Sequence, residues 1–298
     1  MRDIDFLRWR WLAVGVSLLV IASGLVVAAR HGGLELGIDF SGGTNLVVRF
    51  ETPVRVQDVR GVATHVAGAG VVQRYGDPGE HTMLIRLPPG GPAPDTALDA
   101  GVTAVVTALQ RSDLGAFTVV ARELVGPTVG LELQRRGRNA FLGALGGVLV
   151  YTACRLRFRF AVGAVIAVAH DILVTLAVLT WCGVDLSLNV VAAMLTVVGY
   201  SVNDSIVVFD RVRENLRRSR RDGLAKVVNV SLNQTLRRTI ITSGTTAFAA
   251  LALLVAGGEV LWGFALTLLV GVVSGTYSTI FIAPAVAVPF RSAMSAGS

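Results

Sequence analysis

Apolar residues in this chain gather in six long runs, at about residues 11–29, 141–154, 160–181, 186–208, 240–256 and 261–290. A helix rises about 1.5 Å per residue and needs about 20 apolar residues to cross a hydrocarbon core of roughly 30 Å, so the runs predict six transmembrane helices. Between the first two the character changes. Residues 31–138 carry charges, prolines and short apolar segments in the manner of a soluble domain. Strands are predicted at 46–50, 71–74, 81–87 and 117–122, with helices at 56–66 and from Asp95 to about Gln110. The proline- and glycine-rich stretch at 88–92 reads as a loop. This order, strand-helix-strand-strand-helix-strand, is the split βαβ of a ferredoxin-like sandwich. The expected fold is a polytopic α-helical membrane protein, with one ferredoxin-like α+β domain outside the cytoplasm between helices 1 and 2.

Arginines orient the spans. Arg8 and Arg10 precede the first run, Arg155, Arg157 and Arg159 follow the second, a dense basic loop occupies 209–238, and Arg291 follows the last. The connections at 182–189 and 257–260 carry almost no basic residues. Short basic loops mark the cytoplasmic side, so both termini are expected inside and residues 31–138 outside. Arg135, Arg136 and Arg138 break the pattern, but the flanks of long translocated segments weigh little in this rule. The organisation expected is thus 1–30 for the N-terminus and first helix, 31–138 for the outer domain, 139–290 for helices 2–6 and 291–298 for a cytoplasmic tail. The first run reads as an uncleaved span; Val27-Ala-Ala29 mimics a cleavage site, but signal-peptide apolar regions are usually only about 7–15 residues.

Composition agrees with a membrane protein and closes other classes. The chain is 53% hydrophobic and 16% charged, outside the range of soluble domains. Its net charge of +7 sits at the ends of apolar runs rather than on a nucleic-acid-binding face. No phosphate-binding Gly-x-x-x-x-Gly-Lys loop exists and Lys226 is the sole lysine, so the chain is not expected to hydrolyse ATP. No zinc-type Cys/His cluster and no Ser/His/Asp arrangement is present, so neither an enzyme nor a cofactor is expected. Cys154 and Cys182 are too few for a disulfide framework, fall on opposite membrane faces and are expected to be free. Gly37-Ile-Asp-Phe-Ser-Gly-Gly-Thr44 lacks the lysine of a phosphate loop and reads as a turn into the first strand, while Pro127 and Gly130 shape the return to the second span. Small-residue pairs at Gly143/Gly147 and Gly271/Gly275 allow close helix approach.

The candidate chemistry lies in the polar residues within the spans. Asp204 sits inside the fourth run, where a carboxylate costs roughly 2.5–3.5 kcal/mol and should face protein or a water-filled cavity. Tyr200 and Ser201, four and three residues earlier, share its face, and Asn203 and Ser205 flank it. The fourth span descends inward and the fifth rises outward, so Arg238, opening the fifth, lies in the same leaflet and can pair with Asp204. A snorkelling arginine is the plainer reading of Arg238 on spacing alone. His170 and Asp171 lie roughly 12 residues into the third span, about 18 Å deep, where titratable neighbours can relay protons; packing is the other role open to Asp171. Side chains one residue apart on a helix point about 100° apart, so His170 is expected to serve a different contact. The basic loop at 211–221 is at most an interfacial site for anionic lipid.

The run Gly199-Tyr-Ser-Val-Asn-Asp-Ser-Ile-Val-Val-Phe-Asp-Arg-Val-Arg-Glu-Asn215 resembles the signature of the SecF branch of the SecD/SecF family of protein-export membrane proteins, within the RND superfamily. Gly37-Ile-Asp-Phe-Ser-Gly-Gly-Thr44, Val125-Gly-Pro-Thr-Val-Gly-Leu-Glu-Leu133, Ala169-His-Asp171, Asn233-Gln-Thr-Leu236, Arg238-Thr-Ile-Ile-Thr-Ser-Gly-Thr-Thr246 and Gly275-Thr-Tyr-Ser278 match in order, over almost the whole chain. The resemblance implies half of an RND-type transporter core, completed by a SecD-like subunit and associated with the SecYEG channel and a translocating polypeptide. It implies use of the proton motive force, with Na+ the alternative coupling ion, to assist late steps of export. In that scheme Asp204 carries the proton, Arg238 modulates its charge and Asp171 helps the relay. A small-molecule or lipid exporter half and a passive scaffold subunit are the competing functions.

Overall fold

The computed structural model describes residues 4–67, 71–76, 78–88, 96–156, 158–219 and 222–288. The loop expected from Pro89 to Pro92, the helix start at Asp95, Arg157, and the stretch beyond residue 288, including the expected helix end at Phe290 and Arg291, lie outside them. The chain divides into two compact units, one of residues 36–139 with 186–188 and one of the remainder.

The first helix, α1 (Arg10–Arg30), has 21 residues and so rises about 31 Å, enough for one crossing. Residues 36–139 then open with a one-turn helix, α2 (Ile38–Ser41), where only a turn was expected. Gly42 (φ +71°) and Gly43 (φ +120°) turn the chain from it into β1 (Gly43–Phe50), in backbone conformations that side chains rarely adopt. Next come α3 (Val56–Ala67), β2 (Val71–Arg74), β3 (Thr82–Leu87), α4 (Thr96–Gln110) and β4 (Phe117–Val125). The strands form one sheet in the order β2-β3-β1-β4, every neighbouring pair antiparallel.

The alternation of β1 explains its burial. Leu46, Val48 and Phe50 face one side, where Val59 and Ala63 of α3 and Val102, Val105 and Leu109 of α4 cover them. On the other face Arg49 reaches Glu80 at 2.7 Å and Thr82 at 3.3 Å. Residues 186–188 belong to this unit: Gly37 N–H donates to the Leu186 carbonyl at 2.8 Å, and Asp39 accepts from the Leu188 N–H at 2.9 Å. A Cβ on Gly37 would stand 3.1 Å from that carbonyl oxygen.

Five helices follow: α5 (Pro127–Arg155), α6 (Phe158–Trp181), α7 (Leu188–Arg218), α8 (Leu224–Ala256) and α9 (Gly258–Ala287). Pro127 occupies the first helical position of α5, where its missing N–H is not needed. Gly130 serves contact rather than flexibility, since a Cβ there would lie 2.9 Å from the Gly42 nitrogen. Among the described residues five helices are long and apolar enough to cross a membrane: α1 with the 3-10 turn before it, α6, α7, α8 and α9. The run expected at 141–154 falls inside α5, whose first half carries Glu132, Arg135, Arg136 and Arg138, leaving an apolar part shorter than a full crossing.

Of the basic stretch expected as a loop at 209–238, residues 209–218 and 224–238 belong to the ends of two helices. At 31 and 33 residues, α7 and α8 rise about 46 and 50 Å, well beyond a hydrocarbon core. Charges spaced for helical pairing carry α7 onward, with Glu214 bound to Arg211 at 2.5 Å and to Arg218 at 2.8 Å. Cys154 and Cys182 are free and exposed.

The helical unit is packed by small residues. α1 lies on α6 and α9, and α9 also lies on α6 and α8. A Cβ on Gly24 would come within 2.3 Å of the Ala177 Cβ, one on Gly163 within 2.8 Å of the Ala283 carbonyl, and one on Gly271 within 2.2 Å of Val197. Gly143 and Gly147, by contrast, face open space. Leu145 and Val148 of α5 pack on Val168, Val198 and Val202 of α6 and α7.

Candidate functional site

Among the described residues two buried carboxylates lie in the helical unit, and their surroundings differ. Asp171 of α6 is 1% exposed and its oxygens are fully used. Oδ1 accepts from Ser274 at 2.7 Å and lies 3.1 Å from His170 Nδ1; Oδ2 accepts from Ser201 at 2.6 Å and Ser278 at 2.8 Å. Ser274 and Ser278 are one helical turn apart on α9, so both hydroxyls reach the same carboxylate. Gly275 between them lets α7 come close, since a Cβ there would stand 3.3 Å from the Ser201 Cβ, while at 3.6 Å it would only touch Asp171 Oδ2.

Asp204 of α7 is 6% exposed and half satisfied. Thr239 of α8 donates to Oδ1 at 2.9 Å, while Oδ2 is buried without a hydrogen-bond partner. Thr279 of α9 stands beside it, with its hydroxyl 3.1 Å from that of Ser205. Arg238, one residue before Thr239, is exposed and acts on Asp204 through space. Among the described residues no ion pair joins them, so Thr239 holds the contact that spacing offered to Arg238.

The remaining candidates separate. Ser201, expected beside Asp204, turns to Asp171 instead. Tyr200 donates to Ser243 of α8 at 3.0 Å, and Thr276 of α9 donates to the same hydroxyl at 2.7 Å. Asn203 is exposed on the outside of the unit. His170, expected to point away from Asp171, turns back to it; its ring lies 6.0 Å from that of Tyr277, and its Nε2 is buried without a partner. Thr239, Ser274, Ser278 and Thr279 were missed as site residues. Thr239 and Ser278 stand in matched motifs, and Ser274 and Ser278 at helical spacing about Gly275 are the legible trace of the cradle.

No group of three or more His, Cys, Asp and Glu residues suited to a metal ion occurs among the described residues. What the arrangement offers is a buried carboxylate with one free oxygen, a cation near but not bound to it, and a second carboxylate sealed by hydroxyls. Ionisable groups within membrane-spanning helices as a rule mark ion or substrate paths, which makes this arrangement a candidate transport site.

The family model "Protein export membrane protein SecD/SecF, C-terminal" matches residues 104–293, and the SecD/SecF GG motif matches residues 31–54. The chain belongs to the SecD/SecF family of protein-export membrane proteins. It is 42% identical over 287 residues to the protein translocase subunit SecF of Escherichia coli O157:H7, covering 95% of this chain and 86% of that one. SecDF from Thermus thermophilus, a translocon-associated membrane protein, superposes with a TM-score of 0.84 at 37% identity over 97% of this chain. A structure of SecDF in a super-membrane-facing form gives 0.70 at 36% identity over 99% of it. The chain spans only 39% and 40% of those two structures' chains.

Proposed function

We propose that this multi-pass membrane protein works as the SecF-type subunit of a protein translocase, partnered by a SecD-like subunit that supplies the rest of a SecDF-like assembly. The matched SecF relative and the SecDF structures support this transport role. The finer reading adds a sixth span formed by the apolar half of α5, a ferredoxin-like outer domain, both termini on the cytoplasmic side of the bacterial inner membrane, and work beside the SecYEG channel on a translocating polypeptide. The element order and the antiparallel β2-β3-β1-β4 sheet support the domain assignment.

In this reading the proton motive force drives the cycle, and Asp204 takes up and releases the proton. The observation that carries it is the buried Asp204 oxygen with no partner, close to a cation that does not bind it. A partner half that brings Arg238 onto the carboxylate favours the charged form; one that withdraws it favours the protonated form. Asp171 supports the cycle from the same unit.

Gradient-dependent export in cells that rely on this subunit tests the reading. Asp204→Asn should assemble normally and fail to export, Arg238→Lys should keep partial activity, and Arg238→Met little. Normal export by Asp204→Asn, with the ordinary response to collapse of the gradient, leaves the passive scaffold as the function. Labelling the exposed native cysteines one at a time tests the topology: Cys154 and Cys182, at opposite ends of α6, should react from opposite membrane sides.

A further inference from the structure

Asp171 and Asp204 differ in the one property that decides whether a carboxylate can exchange a proton without rearrangement. A carboxylate offers about four lone-pair directions. At Asp204 Thr239 donates to Oδ1, and although the Thr279 hydroxyl stands close enough to interact with the carboxylate, no donor meets Oδ2 in hydrogen-bond geometry, which leaves that oxygen open. At Asp171 all four are taken: His170 and Ser274 on Oδ1, Ser201 and Ser278 on Oδ2. These groups come from α6 itself, α7 and α9, so the carboxylate ties three helices at one point. To accept a proton it would have to turn a donor away and find an acceptor for its own O–H. Its donors are 8% exposed or less, and the cavity of about 410 Å3 beside His170 and Ser274 is walled almost wholly by apolar side chains such as Val16, Val174 and Val273, a poor place for the water that exchange would need.

We infer that Asp171 is a fixed acceptor and a positioning residue, not a proton carrier: it clamps α9 to α7 through Ser201, Ser274 and Ser278. It acts through Asp204. Ser201 lies one turn before Asp204 and Ser205 on α7, and Ser278 adjoins Thr279 on α9, so the clamp sets the register in which Thr279 meets Ser205 beside Asp204. This inference rests on reading Asp204 as the carrier.

Its test uses a hydrophobic carbodiimide on the full chain, in complex with its partner subunit in lipid vesicles, with the labelled carboxyl located by peptide mass spectrometry. The reagent takes the carboxyl proton on nitrogen while the carboxylate oxygen bonds its central carbon; the adduct then rearranges to a stable acylurea. Only a carboxyl that can be protonated reacts. Label is expected at Asp204 and not at Asp171. Ser201→Ala with Ser278→Ala removes two charge-assisted hydrogen bonds and should raise labelling at Asp171 by about tenfold or more.

Asp171→Asn keeps the size and one acceptor oxygen, and the serine hydroxyls can turn to accept from its amide. It should therefore assemble and keep a proton flux within about threefold of wild type, whereas Asp171→Leu, which takes the carboxylate partner from Ser201 and Ser274 and leaves Ser278 only the Gly275 carbonyl, should not. Labelling of wild-type Asp171 as fast as Asp204 overturns the inference, as does an Asp171 that stays unlabelled when both serines are removed, or loss of flux in a well-assembled Asp171→Asn. An unlabelled Asp204 counts instead against the carrier reading, and the Asp171 results then stand on their own.

Discussion

The sheet-containing unit of residues 36–139 and the helical unit are each held together by different forces, though both are rich in Val, Leu and Ala. In the sheet-containing unit the core is one apolar cluster between a sheet and two helices, closed against water by side chains such as Phe50, Val105 and Ile85. Water drives that burial at about 25 cal/mol per Å2. The helical unit has no such drive between its helices, because lipid is as apolar as leucine. It relies on close approach at Gly24, Gly163 and Gly271 and on hydroxyl-to-carboxylate bonds at Asp171. Bulk therefore matters most around the sheet, and the absence of bulk matters most between the long helices.

Substitutions can break this contrast in either unit. Phe50→Ala should cost the sheet-containing unit about 3–5 kcal/mol, since the ring is 2% exposed and packs on Phe117. Hydrogen exchange of the intact chain should show the loss confined to residues 36–139. In the helical unit the damage should come from adding atoms. Gly271→Leu should cost about 1–3 kcal/mol, seen as a lower melting temperature in detergent, while Gly143→Leu, facing open space, should change little. Equal effects at both glycines would remove close packing as the cause.

Asn233→Ala should have a smaller effect, about 1 kcal/mol per hydrogen bond lost. Asn233 of α8 brackets the Ile4 backbone, accepting from its N–H at 3.0 Å and donating to its carbonyl at 2.8 Å. Faster proteolysis of the first residues would report the release. Smallest of all, Arg55→Ala removes an ion pair whose arginine is 81% exposed, and should cost well under about 1 kcal/mol in denaturant titration.

The sheet-containing unit was largely legible because its elements obey local rules. Short apolar segments between turn residues, with alternation at 81–87, located all four strands and the two helices α3 and α4 between them. The spans were legible as apolar runs, but their ends were not. Arg211, Glu214 and Arg218 read as a basic loop because composition hides the helical spacing that pairs them. Periodicity put Ser201 on the Asp204 face, yet could not know that Asp171 of another helix would take its hydroxyl. Thr239 was passed over for its charged neighbour Arg238, because sequence distance says which leaflet a residue occupies but not which side chain arrives first. The polar contacts that define the site are between helices, and a linear pattern holds no register for them.

The most direct measurement is proton flux into vesicles holding this chain with its partner subunit, under an imposed gradient, for wild type and Asp204→Asn. The account predicts flux in the wild type and none above empty vesicles in the variant, with equal amounts of assembled complex. Undiminished flux through Asp204→Asn would contradict it.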